Sequence, residues 1–510
     1  ASLSFQRTGD EDLLASLSDV VTALSDWQED DGSLSTAGRE AACRMTHPKA
    51  GAGRTWDVWI HSWMIRGLLA AARAGVLPDL ASIAAGRACD LIAGVINERG
   101  ADFLKLGNHQ GLSAAIVVDA LAEASIELRR PDLAESASKV IGLLEESGVR
   151  ALSGPKEGLD SSQLGTGKAY QIIWLLLGMV KLGKATSDQA MIEAAAYWWQ
   201  NIHDHHLTPY GGPWGGIGGH HEVFNAKGFF SPEGFVETCS TATWISLSRE
   251  LLLHTGDAKY SSACEVSLLN GILGAMDANG ADWSYFTFPN GRRNSTYHWA
   301  CCKSSGALAL EEASLLPLFI REDVVVINLW QPFRAEFDWG VLEVSQESAE
   351  TFSICIISTA EHSPSIGLTV PSWAGEAFFD GQPLSESFRL TPAMGVVTHQ
   401  LRFSVSAAVQ PFTYVQRHHG QEIVRTDYAF LKRGPYVYAH GLIEGYRKLE
   451  TVRIAKLFPL NSFTAIPGRI HPSFFLKGQG RTKLLLEPFY AAGARHDGAY
   501  RSLWLQVAWQ

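Results

Sequence analysis

Three thiols and a carboxylate stand in two short pieces of the chain: Val236-Glu237-Thr238-Cys239 and Trp299-Ala300-Cys301-Cys302-Lys303. Thiolates and carboxylates are good zinc donors, and Glu237, Cys239, Cys301 and Cys302 would complete a closed tetrahedral shell. Glu237 and Cys239 are two residues apart, so one short turn presents both; the adjacent Cys301 and Cys302 call for an irregular backbone to aim at one ion. The spacing contains no CxxC pair. The residues alone therefore leave a second reading open, buried structural cysteines, because Cys is among the most often buried residue types. A metal-bound thiolate stays deprotonated at neutral pH and is nucleophilic enough to attack an anomeric carbon. A carboxylic acid would protonate the leaving oxygen and then activate water. Glu222 stands in position for that role, closing the run Gly215-Gly216-Ile217-Gly218-Gly219-His220-His221-Glu222. Its other reading is a solvated loop carboxylate.

Histidines surround these pieces: His203, His205, His206, His220, His221 and His298, with His109 in a second glycine-containing loop at residues 108–111. We read His109, His203, His221 and His298 as hydrogen-bonding groups for a sugar or for the loops rather than as a second metal cluster. Arg292 and Arg293 precede the cysteine pair and suit either a carboxylated sugar or solvent. Glycines in the loops let the backbone approach a ligand closely, and loops on a rigid scaffold are where binding groups concentrate.

The elements that must position these groups fall into two halves. From Glu11 to about Leu318 the chain reads as ten to twelve helices. Leu13, Leu14, Leu17, Val20, Val21 and Leu24 follow the spacing of one helical face, and the stretch from Trp56 to Ala74 is similar. Further helices begin near Leu80, Leu112, Asp132, Gly167, Ser187, Val236, Ala258 and Lys303, with Asp132 and Ser187 as start signals and Gly148 as a stop. His254-Thr255-Gly256-Asp257 reads as a helix end followed by an Asp cap. Antiparallel helices in this number suit a toroid of helical hairpins, and no sharp repeat supports a solenoid. After Leu318 the pattern becomes short alternating runs, such as residues 323–329, 351–357, 367–370 and 412–416, which predict β-sandwich structure. A last β-rich piece runs from about Leu449 through Ser502-Leu503-Trp504-Leu505-Gln506-Val507. We place domains at 1–320, 321–445 and 446–510, with the β-rich part as a brace for the helical half.

Composition narrows the class. The net charge is −11, so no basic surface advertises a nucleic-acid partner. The longest apolar run, residues 172–180, is too short to span a membrane. The seven cysteines are odd in number and irregularly spaced, which argues against a disulfide framework and for reduced thiols in the cytoplasm, with a secreted or periplasmic site as the alternative. Sixteen Trp are available both for the core and for stacking on sugar faces.

The combination of Gly215-Gly216-Ile217-Gly218 with Glu222, then Glu237-Thr238-Cys239, Thr255-Gly256-Asp257, Tyr260, Glu265, Asn270 and Cys301-Cys302 resembles glycoside hydrolase family 127, whose members include β-L-arabinofuranosidases. Trp56 to Leu69, Val370-Pro371-Ser372-Trp373 and Arg433-Gly434-Pro435-Tyr436-Val437-Tyr438 extend the likeness over much of the chain. The resemblance implies an N-terminal (α/α)6 barrel followed by C-terminal β-sandwich domains, and zinc held by Glu237, Cys239, Cys301 and Cys302. It implies Cys301 as nucleophile, Glu222 as acid/base and retaining hydrolysis at a non-reducing end. Two departures concern the substrate. Lys303-Ser304-Ser305-Gly306-Ala307 replaces a Pro-Pro-Asn-like segment with a following Arg, and Leu269 stands where a Tyr is common before Asn270.

The expectation is thus a zinc-dependent exo-glycosidase acting on a carbohydrate, with no nucleic-acid or membrane partner and a homo-oligomeric state left open. Two rivals differ in class. A sugar lyase or epimerase on the same barrel would use the loop histidines and yield, for a lyase, an ultraviolet-absorbing unsaturated product. A non-catalytic carbohydrate-binding protein with structural zinc would bind glycan without turnover and unfold when stripped of metal.

Overall fold

The structure, a computed structural model, describes residues 1–51, 56–215, 222–228, 231–232, 234–292, 300–360, 363–384, 388–441, 453–455, 463–466, 473–477, 483–493, 500–503 and 505–508. The chain divides into two compact units, Ala1–His206 with His220–Gly228, and Leu207–Gly219 with Phe229–Gln510.

The first unit is helical. Its helices are α1 (Ser2–Thr8), α2 (Glu11–Trp27), α3 (Asp57–Arg73), α4 (Pro78–Arg99), α5 (Val117–Glu127), α6 (Pro131–Glu146), α7 (Gly154–Glu157), α8 (Ala169–Thr186) and α9 (Gln189–His205). The Asp10 carboxylate accepts from the backbone of Asp12 and Leu13 and so fixes the start of α2. Pro occupies the first turn of α4 and of α6, where its missing N–H leaves nothing unpaired. Helices α3, α5 and α8 pack on one another in succession, with α4, α6 and α9 packed on them in turn. The innermost is α8, in which Ile172, Ile173, Trp174, Leu175, Leu176, Leu177, Met179 and Val180 are all buried. A helix apolar on every side belongs in the middle of a core. A Cβ at Gly178 would lie 2.7 Å from the backbone nitrogen of Asp119, so the glycine lets α8 approach the α5 backbone directly.

Where α3, α5 and α8 meet, charges are buried among the apolar side chains. Arg66 Nε lies 2.9 Å from Asp119 and Lys181 Nζ lies 2.7 Å from Asp119 and 2.6 Å from Glu123. The Arg66 guanidinium also sits over the rings of Trp63 and Trp174. Burial alone would raise the Glu123 carboxyl; Lys181 and Arg66 outweigh it and hold Glu123 well below the usual carboxylate range.

Helix starts differ from the sequence expectation in three places. Ser187 does not open a helix; it closes α8 in the left-handed conformation at φ 58°, and the Asp188 side chain caps α9 by accepting from Met191. Asp132 lies inside the first turn of α6, one residue after Pro131. Residues 112–116 form turns, and helix begins only at Val117.

The second unit opens with a three-stranded sheet of Trp214–Gly215, Phe235–Glu237 and Phe286–Thr287. It continues with α10 (Thr238–Thr255), α11 (Ala258–Val266), a π-helical turn (Ser267–Ile272), α12 (Leu273–Ala275) and α13 (Cys301–Ala313). Gly256 ends α10 at φ 71°, and Asp257 caps α11 by accepting from Lys259, as the sequence predicts. Strand structure follows. A six-stranded sheet runs in the order Gln382–Pro383, Ala377–Phe379, Gly395–Phe403, Thr351–Ser358, Gly340–Gln346, Phe333–Phe337. A four-stranded sheet runs Arg389–Leu390, Ser365–Leu368, Val324–Ile327, Leu318–Arg321, with Ser365–Leu368 parallel to Val324–Ile327. Both contribute to one core: Val325, Ile327, Ile366 and Leu368 from the smaller sheet and Leu342, Val344, Phe352, Ile354, Ile356, Leu401 and Phe403 from the larger. The alternation in Thr351–Ser358, with every second side chain buried, is the period of a strand with one face on a core. A ten-stranded sheet draws on strands from both sides of residue 446, including Gln421–Arg433, Tyr436–Gly441 and Lys483–Pro488.

Two residues of the π turn and α11 tie this helical segment to the strands. The Asn270 amide donates to the Pro435 carbonyl, and its oxygen accepts from the Val437 backbone. Glu265 accepts from the Trp373 indole at 2.5 Å.

Candidate active site

In the second unit, strand Phe235–Glu237 is held on both sides, Val236 opposite Trp214 and opposite Thr287. It passes without a loop into α10, with Glu237 as the extended N-cap residue. Thr238 locks the junction, its hydroxyl donating to the Ser284 carbonyl at 2.6 Å and its backbone N–H to the Tyr285 carbonyl at 3.0 Å. Cys239 therefore lies in the first turn of α10. Cys301 and Cys302 are the first two residues of α13. No irregular backbone is needed to bring the adjacent cysteines to one place. Side chains of a helix lean toward its N-terminus, so those of the first two residues both reach past the helix end.

The sulfur atoms of Cys239, Cys301 and Cys302 lie within 4.8 Å of one another. Cys239 Sγ is 3.2 Å from Cys302 Sγ and accepts from the Ser305 hydroxyl at 3.2 Å. Cys302 Sγ also faces the Tyr285 carbonyl at 3.8 Å. Cys239 and Cys302 are buried, whereas Cys301 is exposed, and none is in a disulfide. The two helices are kept in register by a buried hydrogen bond from Ser246 to Glu312. Gly306 has a stated reason to be glycine: a Cβ there would lie 2.5 Å from the Trp283 ring that packs on α13.

The electrostatics of the cluster are those of three thiols sharing one charge. Hydrogen bonds from Cys239 and Cys302 pull the Cys301 thiol far down. Hydrogen bonding to Cys301 raises Cys239 well above its usual value, and burial raises Cys302. Burial and the Glu237 carboxylate together push Tyr285 up. Three thiol sulfurs grouped in this way could hold a metal ion. A tetrahedral zinc–thiolate pair has sulfurs about 3.8 Å apart, from metal–sulfur bonds of about 2.3 Å. The 3.2 Å separation of Cys239 and Cys302 thus needs to open by only about half an ångström.

Glu237, the fourth expected ligand, is buried, and its Oε2 accepts from the Ser240 hydroxyl at 2.9 Å. The group of atoms within 4.8 Å comprises the three sulfurs without it.

In the first unit, Glu222 lies beside the start of α8. Its backbone carbonyl accepts from Ala169 at 3.0 Å, and its carboxylate is ion-paired with Lys168. His109, at φ 58°, meets the same segment through Thr166, with Nδ1 3.0 Å from that hydroxyl. His203 makes different contacts, with the Asp204 carboxylate at 2.8 Å and in a stack on Trp199. His221, His298 and Arg293 lie outside the described residues, and of Arg292 only the backbone pairing with Tyr500 is described. Sequence reasoning passed over Lys168, and it named His206 among the histidines without giving it a partner. His206 is buried, pairs with Asp160 at 3.0 Å and packs on Phe224. No motif marks either residue, and the partners that give them meaning are 54 and 46 positions away in sequence.

Comparison with known proteins bears on this site. A family model described as the β-L-arabinofuranosidase GH127 catalytic domain matches residues 1–314. A curated non-reducing-end β-L-arabinofuranosidase of Bifidobacterium longum subsp. longum is 23% identical over 336 residues, covering 59% of this chain. The chain spans about half the length of that relative, 49%. Among solved structures, a GH127 β-L-arabinofuranosidase from Geobacillus stearothermophilus T6 superposes with a TM-score of 0.74 at 15% identity, over 99% of this chain and 89% of its own. A second GH127 β-arabinofuranosidase gives the same TM-score at 18% identity, over 99% of this chain and 86% of its own. At these identities the structural likeness establishes the fold.

Proposed function

The chain belongs to the β-L-arabinofuranosidase GH127 catalytic-domain family, a family of glycoside hydrolases, and on that premise we propose that it is a zinc-dependent retaining exo-glycosidase. It releases L-arabinofuranose or a related sugar from a non-reducing end. In this reading the helical part to residue 320 is an (α/α)6 barrel, followed by a β-sandwich domain at 321–445 and a β-rich segment at 446–510 that shares its sheet with strands before residue 446. The observation that carries the proposal is the sulfur cluster itself: two buried thiols and one exposed thiol within 4.8 Å. That asymmetry separates holding from reacting.

Cys239, Cys302 and Cys301 would hold zinc with Glu237, which is the residue before the helix that carries Cys239. Bound zinc would supply the positive charge that keeps these thiols deprotonated. Cys301, the exposed member, attacks the anomeric carbon; its sulfur forms the new bond as the glycosidic C–O bond breaks. Glu222 gives its proton to the departing oxygen. In the second half Glu222 takes a proton from water, the water oxygen bonds to the anomeric carbon and the C–S bond breaks, returning Cys301 and a sugar of unchanged anomeric configuration. His109, His203, His221 and His298 are assigned to the sugar hydroxyls.

The experiment is a screen of nitrophenyl glycosides and arabinofuranosyl oligosaccharides, with elemental analysis of the same preparation. Arabinofuranose release with one zinc per chain is the expected result. Absence of turnover on every glycoside from zinc-loaded protein contradicts the proposal.

A further inference from the structure

Lys168 is the residue before α8, in an extended conformation at φ −66° and ψ 104°, and it is buried. Two backbone hydrogen bonds clamp it against residues 222–224: Ala169 donates to the Glu222 carbonyl at 3.0 Å, and Phe224 donates to the Gly167 carbonyl at 2.8 Å. Lys168 itself bridges antiparallel to Val223. The clamp is supported from behind. Gly167, at φ 73°, runs so close to Ser162 that a Cβ would lie 2.9 Å from its carbonyl oxygen. Ser162 donates to Asp160, Asp160 pairs with His206, and the His206 ring packs on Phe224. Both partners of the Lys168–Glu222 ion pair therefore rest on a frame built from four chain segments.

We propose that Lys168 is a positioning residue for the acid/base, fixing the Glu222 carboxyl group in place and favouring the base form that the second half-reaction uses. This inference rests on the assignment of Glu222 as the proton-exchanging group. A buried ammonium is costly unless an anion answers it, so the pair is strongly favoured over either charge alone. An adjacent cation also makes a carboxyl shed its proton at lower pH. That opposes the first half-reaction, which needs a protonated acid, and serves the second, which needs a base. Other charged groups on the packed elements are the Asp160–His206 pair behind Phe224, Lys227 farther along the loop, and His109 at Thr166. Among the described residues, Lys168 is in ion-pair contact with the Glu222 carboxylate.

The test compares wild type, Lys168→Met, Lys168→Gln and Lys168→Arg, each first checked for native unfolding behaviour. One readout is the pH profile of kcat/KM on an arabinofuranosyl oligosaccharide, whose leaving group requires the acid. Removing the charge is expected to move the alkaline limb upward by about one pH unit, ten-fold in proton affinity, and Lys168→Arg to restore it. The second readout is the titration of the Glu222 carboxyl by 13C NMR, assigned with Glu222→Gln, which needs no turnover. An upward midpoint in both neutral variants and its reversal in Arg support the role. Unchanged midpoints, or equal behaviour of the neutral and Arg variants, overturn it. Full activity of Glu222→Gln removes the acid/base assignment and this role with it. An inactive Glu222→Gln with unmoved midpoints removes the Lys168 role alone.

Discussion

Cys239 and Cys302, 63 positions apart in the chain, bring their sulfur atoms to 3.2 Å with no disulfide between them. Each is in the first turn of a helix, and Ser305, one turn farther along α13, donates to Cys239 across the gap. In the proposed reading, zinc would take the place of these thiol hydrogen bonds.

Cys239→Ser and Cys302→Ser are each expected to reduce bound zinc by at least about ten-fold and to lower the unfolding midpoint by about 5 °C or more. Both buried sulfurs face the same point, so losing either opens the shell. Elemental analysis and thermal unfolding measure this; zinc retained at full stoichiometry in both variants would show that the ion sits elsewhere.

Cys301→Ser should separate chemistry from structure. Because Cys301 is exposed, the fold is expected to survive with a midpoint within about 2 °C of wild type. Turnover is expected to fall by at least about a thousand-fold, since a hydroxyl does not ionise as the thiol does. Near-normal release of arabinofuranose by this variant would end the thiolate mechanism.

Glu265 is buried in the second unit, and burial pushes its carboxyl up to about 7 against the donation from Trp373 and the charge of Lys432. The folded value lies above the ordinary 4.5, so the folded state binds the proton more tightly. Stability from this group is complete below pH 4.5 and is lost as pH rises through 7, by about 3 kcal/mol at most. Glu265→Gln is expected to flatten the fall in unfolding midpoint between pH 5 and pH 8. An equally steep fall in the variant would assign the pH dependence to other groups.

Lys181→Met leaves the buried Asp119, and the partly buried Glu123 beside it, with one cation fewer. A loss of about 3 kcal/mol is expected, in keeping with a broken buried ion pair. Adding Asp119→Asn should recover part of it, because the stranded charge is then gone. Denaturant unfolding of the single and double variants provides the measurement, and additive losses would argue against coupling.

Sequence periodicity located the helices α2 to α6, α8 and α9, though not the short α7, and strands such as Thr351–Ser358, because one-sided burial writes a period of 3.6 or 2 directly into residue order. Local capping was legible too, at Gly256 and Asp257, since both effects act within a few residues. Ser187 misled because a serine before an Asp looks like a cap, while here the left-handed end of α8 takes the serine and the Asp does the capping. The motif Glu237-Thr238-Cys239 and the cysteine pair marked the candidate chemistry by type. Their convergence was decided by tertiary structure alone: strand pairing sets the start of α10, and the packing of Trp283 on Gly306 sets α13. The same holds for Lys168, whose meaning arises only when residues 222–224 fold back along the start of α8. Residue order specifies which groups are available and which faces are apolar. Which distant charges and sulfurs become neighbours depends on contacts made only in the folded chain, and no local pattern encodes them.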